Sequence, residues 1–192
     1  MKKIGLMFVI VLVGVFMVTG CGKTEYLTGK INVEIEVKDY GTIAVELDAG
    51  EAPITVTNFV DLVEEGFYDG LTFHRIIDGF MIQGGDPNGD GSGGSGRTIK
   101  GEFSSNGVDN SIDHVRGVIS MARSSLPNSA SSQFFIVQED SPHLNGEYAA
   151  FGHVTSGMEI VDAICEDVQV EDTNGTVLPE NQPVITSIKV VE

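Results

Sequence analysis

Between Phe73 and Asp86 the chain reads FHRIIDGFMIQGGD. One arginine, one glutamine, several large apolar side chains and a double glycine fall within fourteen positions. The stretch carries no nucleophile–base pair and no cluster of metal ligands. Such residues suit a reaction that breaks no covalent bond. Competing chemistries fit less well. Ser131 and Ser132 lack the Gly-x-Ser-x-Gly elbow of a hydrolase, and no acid–histidine set accompanies them. His114, His143 and His153 are scattered, which argues against a metal site. Asp86, Asn88, Asp90 and Gly91 match the opening of an EF-hand, but the twelfth position is Arg97, where calcium needs a bidentate glutamate. The glycine-rich run 86–96 also lacks the Gly-Lys-Ser/Thr end of a phosphate loop and the following helix of a dinucleotide fold. It reads as a surface loop.

Three further segments belong with this stretch: SMA (120–122), SSQFFIV (131–137) and HLNGEYAAFG (143–152). Spaced as they are, the four closely resemble the cyclophilin family of peptidyl-prolyl cis/trans isomerases. The likeness runs from about Ile31 to Glu192. It implies a mostly β fold, a closed antiparallel barrel of eight strands capped by two α-helices, and an isomerase that uses no metal and no cofactor. It places the family's catalytic arginine on Arg75, its proline pocket on Phe80, Met81, Phe135 and Leu144, and its groove glutamines on Gln83 and Gln133. It also sets His74, Ala122, Arg123, His143 and Tyr148 along the substrate groove. His74 has no proton to transfer there and reads as structural. Without the resemblance, Arg75 reads equally as a salt-bridge partner in a strand, and Phe80, Phe135 and Leu144 read as core.

The implied chemistry suits these residues. An X-Pro bond resists rotation by about 18–20 kcal/mol because the nitrogen lone pair is shared with the carbonyl. Twisting localises that pair on nitrogen and makes it a better hydrogen-bond acceptor. A fixed cationic donor therefore stabilises the twisted state more than the planar one. Arg75 fits, because a guanidinium stays charged and rigid. Gln83 can hold the backbone on one side of the rotating bond, while an apolar pocket holds the proline ring. Arg75, Gln83 and Phe135 form the expected catalytic set. A non-catalytic groove that binds proline segments, as a module or chaperone, is the alternative.

The chain departs from the eukaryotic pattern at three positions. His143 stands where strong cyclosporin binders carry tryptophan, Tyr148 where a pocket histidine is usual, and Arg123 where asparagine is common. Weak cyclosporin binding and an altered substrate preference are expected. These departures resemble bacterial-type cyclophilins.

The front end points outside the cytoplasm. Lys2 and Lys3 precede an apolar run from Ile4 to Val18, the pattern of an export signal over residues 1–20. Val18-Thr19-Gly20-Cys21 looks like a bacterial lipobox, with Cys21 acylated and residues 21–30 a tether. An uncleaved anchor is the alternative, and both readings place the domain at the outer face of a cell membrane. Cys165, the second of two cysteines, has no disulfide partner if Cys21 carries lipid, and reads as a buried apolar residue. The net charge of -17 argues against nucleic acid and against a domain lying on anionic headgroups. Proline-containing unfolded or exported polypeptides are the expected partners, and a monomer the expected state.

The elements that must hold this groove are legible in outline. Ile31, Val33, Ile35 and Val37 alternate with polar residues, as do Ile43, Val45 and Leu47 after a turn at Asp39-Tyr40-Gly41; the pair reads as a hairpin. Pro53 opens a helix that Gly66 ends. Strands are expected over 71–77, 80–83, 118–121, 134–137, 150–154 and 184–191, with a second helix over 157–164. Residues 31–192 read as one domain, the length of a well-filled core.

Overall fold

The computed structural model describes residues 25–192. The expected signal peptide and the lipidation at Cys21 lie outside the described residues. Residues 25–29 run beside the first helix, where the Leu27 N–H donates to Thr57 Oγ1 at 2.8 Å.

The alternating residues form strands β1 (Lys30–Val37) and β2 (Gly41–Asp48), paired antiparallel. Val33, Ile35, Val37, Ile43, Val45 and Leu47 face inward and are buried, while Glu34 and Glu36 face solvent. Helix α1 (Pro53–Glu64) lays Val56, Phe59, Val60, Leu62 and Val63 on this core. Its first turn is closed from a distance: the buried Glu102 carboxylate accepts the Ile54 N–H at 3.0 Å, the Thr55 N–H at 2.7 Å and the Thr55 hydroxyl at 2.6 Å. These are donors that a helix start leaves without internal partners.

Strands β3 (Phe73–Ile77), β4 (Met81–Gly84), β5 (Val118–Met121), β6 (Phe134–Val137) and β7 (Ala149–Ser156), helix α2 (Met158–Asp167) and strand β8 (Ile185–Val191) complete the domain. All eight strands join one antiparallel sheet in the order β3-β4-β6-β5-β7-β2-β1-β8. The expected closed barrel is corrected here: the ladder is open between β3 and β8. The two edges meet at an isolated bridge from Thr72 to Val184, before either strand begins. Beyond it, the segment 174–177 occupies the β3 edge, with the Ile76 N–H donating to Gly175 O at 2.8 Å and the Val177 N–H to His74 O at 3.1 Å. A strand edge already paired this way has no donors left for β8.

Inside the curl, the Phe59 ring lies 5.1 Å from Tyr68, 5.5 Å from Phe134 and 5.3 Å from Phe151, centroid to centroid. β6 is buried on both faces. Phe134 enters this core, and Phe135 joins a second cluster with Met81, Val118, Val137, Leu144 and Ala150 on the outer face. That outer cluster is the floor on which the site rests.

Candidate active site

Phe73 and Arg75 would share one face of a regular strand, since side chains alternate. A bulge breaks the parity: Phe73 pairs with Gly84 and Arg75 with Gln83, so two steps of β3 oppose one of β4. Phe73 therefore enters the core and Arg75 faces the groove, the re-aiming that bulges provide. His74, at the bulge, is buried, and neither ring nitrogen has a hydrogen-bond partner among the described residues. It does not line the groove; burial lowers its pKa, with Asp86 and Asp90 opposing and Arg75 adding to the shift. The double glycine lets the strands close up. A Cβ on Gly84 would lie 2.7 Å from the Thr72 carbonyl, and Gly85 adopts φ +80°.

Arg75 is held on two sides. Its Nε donates to the Asn174 carbonyl at 2.8 Å, and its Nη1 to Gln83 Oε1 at 3.2 Å, with Met81 Sδ at 3.9 Å. Its Nη2 has no hydrogen-bond partner among the described residues. A relay fixes the glutamines in turn. Gln83 Nε2 donates to Gln133 Oε1 at 2.9 Å, and Gln133 Nε2 donates to the carbonyls of Gly93 at 2.8 Å and Gly91 at 3.0 Å. The Gly91 N–H is anchored by the buried Asp86 at 2.6 Å, whose carboxylate also accepts the N–H of Asn88 and of Asp90. The glycine-rich loop is thus the outer end of the arginine's support. Burial draws the Arg75 pKa down, opposed by Tyr148 and Asp172; a guanidinium starts so high that the charge persists.

Beside Arg75 opens a pocket of about 220 Å³ lined by Phe80, Met81, Phe135, Leu144 and Tyr148 together with Gln83, Ala122 and Arg123. An adjoining polar pocket of about 230 Å³ shares Gln83, Ala122 and Arg123 and adds Gln133 with Ser124, Ser129 and Ser131. His143 lines neither. It is exposed at the rim, its ring 5.4 Å from that of Phe80. The structure therefore gathers Arg75, Gln83, Phe135, Phe80, Met81, Ala122, Arg123, Gln133, Leu144 and Tyr148, sets His143 at the margin and leaves His74 behind the strand.

Four contributors were not read from the sequence. His114 is buried under the pocket, stacked on Phe135 at 6.1 Å and bonded to Ser120 Oγ at 3.0 Å and Asn145 Oδ1 at 3.1 Å. Burial lowers its pKa and favours the neutral ring. Asn174 holds Arg75 from another part of the chain, Asp86 holds the loop, and Asp172 holds the turn that carries Asn174. Asp172 accepts the N–H of Asn174 at 2.9 Å and that of Thr176 at 3.1 Å. A turn-forming Asp-x-Asn-Gly run was the available signal for Asp172.

A curled antiparallel sheet thus carries the Arg75 guanidinium beside an apolar notch, with Arg123 on the side shared with the polar pocket. The family model described as cyclophilin type peptidyl-prolyl cis-trans isomerase/CLD matches residues 32–190. The chain belongs to that family, as its four segments led one to expect. It is 51% identical over 123 residues to peptidyl-prolyl cis-trans isomerase B of Bacillus subtilis, covering 64% of this chain and 82% of that protein. It is 46% identical over 144 residues to a peptidyl-prolyl cis-trans isomerase of Helicobacter pylori, covering 74% and 81%. A cyclophilin-type isomerase of Cryptosporidium parvum, crystallised in the presence of the dipeptide Ala-Pro, superposes with a TM-score of 0.73 at 34% identity, over 84% of this chain and 99% of that one. The enzyme class is peptidyl-prolyl cis-trans isomerase.

Proposed function

We propose that the protein turns X-Pro bonds in exported polypeptides by stabilising the twisted amide with Arg75, without a covalent intermediate. The proline ring enters the pocket between Phe80, Met81, Phe135, Leu144 and Tyr148. Gln83 holds the backbone beside it. As the amide twists, the lone pair localised on the proline nitrogen accepts a hydrogen bond from the guanidinium. The observation that carries this reading is the Arg75 geometry: Nε and Nη1 are fixed to Asn174 and Gln83, and Nη2 is left without a partner among the described residues, beside the apolar pocket. Anchored donors need no reorganisation during the reaction, and that is the source of the rate gain. Support for a proline-peptide substrate also comes from the Cryptosporidium parvum relative studied with Ala-Pro. A monomer as the working unit is part of the same proposal, since one copy of the chain supplies walls, floor and arginine of the pocket. Arg75→Ala lowers kcat/KM on a proline peptide by about 10²–10³-fold while circular dichroism stays unchanged; undiminished exchange by NMR in that variant overturns the assignment.

The setting belongs to the same proposal. Residues 1–20 direct export, Cys21 is acylated, and the bacterial-type domain works at the outer face of the membrane on chains as they emerge. One acyl chain anchors only marginally, so a multiply acylated Cys21 is required. The N-terminal motif supports the export and acylation, and the bacterial relatives support the bacterial type of the domain. Mass spectrometry of the mature N-terminus tests it: an unmodified cysteine, or a retained Met1, rejects the lipid anchor.

A further inference from the structure

Arg123 lines both groove pockets, and a cation there invites the reading that it selects acidic residues next to proline. Its contacts point elsewhere. The guanidinium lies between two aromatic faces, 4.9 Å from the Phe103 centroid and 4.8 Å from that of Tyr148. Nε and Nη2 both donate to the Glu147 carbonyl, at 2.9 and 2.7 Å; Nη1 donates to the Ser124 carbonyl at 3.0 Å, and Nη2 meets Glu147 Oε2 at 3.4 Å. Only 12% of the side chain is exposed. A charge so enclosed, with each of its nitrogens already donating within the protein, has little left to offer a ligand. What it does hold is Tyr148. The Glu147 carbonyl fixes the backbone on one side of that residue and the guanidinium presses on its ring. The ring in turn meets Phe135 edge-on, at 5.7 Å and 86°, and closes one wall of the apolar pocket.

We propose that Arg123 is a positioning residue that acts through Tyr148: it sets the wall of the proline pocket and does not read the charge of the polypeptide. The inference rests on the prolyl-isomerase reading of this groove. Planarity is essential to the role, since a flat fork can stack between two rings while donating twice to one carbonyl, and an ammonium cannot.

The test measures kcat and KM of the full-length chain on three peptides with an acidic, a neutral or a basic residue before proline. No turnover by the unaltered protein on any of them rejects the isomerase reading itself, and the inference with it. Given turnover, Arg123→Ala raises KM by about three- to tenfold on all three peptides, with a smaller change in kcat. Arg123→Lys, which keeps stem and charge and serves if the alanine variant does not fold, fails to restore KM. Arg123→Ala adds nothing further to a Tyr148→Ala background. A loss confined to the acidic peptide, full rescue by Arg123→Lys, or independent multiplicative effects in the double variant each overturn the proposal.

Discussion

Arg75 gains its value from how little freedom its neighbours leave it. A solvated arginine samples many rotamers, and ordering one on demand costs entropy. Here Asn174, Gln83 and, through Gln83, Gln133 and the glycine loop fix it before a polypeptide arrives. The same scale explains the rim. His143 touches Phe80 but is exposed, so it offers a binder a small polar ring where an indole would offer a larger surface and an N–H donor. His143→Trp is expected to tighten cyclosporin binding by about tenfold, read by calorimetric titration, with turnover on short peptides little changed. Equal affinities would show that the rim does not control that ligand.

At the scale of elements, two carboxylates that line neither groove pocket hold the frame. Glu102 closes the first turn of α1 from a loop 47 residues away in the chain. Replacing it with alanine leaves buried N–H groups unpaired, at a cost of about 1–3 kcal/mol, visible as a lower denaturation midpoint with the m-value unchanged. Asp172 braces the turn whose Asn174 carbonyl receives Arg75 Nε, and the following residues pair with β3. Asp172→Ala therefore lowers kcat by about tenfold or more, because small misplacements of a catalytic group are costly. Asp172→Asn keeps an oxygen acceptor and retains most of the rate. A full rate in the alanine variant would detach the turn from catalysis.

Across the whole molecule, pH acts through buried imidazoles. His74 and His114 are both enclosed, and burial lowers both pKa values in the folded state. The unfolded chain, with histidines near about 6.5, then binds more protons in weakly acidic solution. Stability is therefore full above that pH and falls as pH drops toward the folded-state values. Each histidine adds at most about 1.4 kcal/mol per pH unit within that window. Denaturant titrations from pH 7.5 down to 5.5 should show this slope, reduced in His114→Asn. An unchanged slope in that variant would place the dependence elsewhere. The charge of -17 acts differently: its self-repulsion is long-range and screened by salt, so it shifts stability with ionic strength without favouring any one element.

Periodicity alone was sufficient for the β1–β2 hairpin and α1, because one face of each lies against a single core and the other meets water. Four spaced segments located the groove through the family they resemble; Arg75, Gln83 and Phe135 sit on β3, β4 and β6, which lie side by side only because the sheet places β6 next to β4. Two neighbouring pairs resisted that logic. Phe134 and Phe135 are alike in sequence, yet one is core and the other pocket, because β6 is covered on both sides. His74 and Arg75 are parted by a bulge that no alternation pattern records. Two supports of the site, Asn174 for Arg75 and His114 under Phe135, join segments distant in the chain, and the seam between β3 and β8 stays open because residues 174–177 reach β3 first. Local sequence reports which side of an element is buried; what lies against that side is set only when the chain closes on itself.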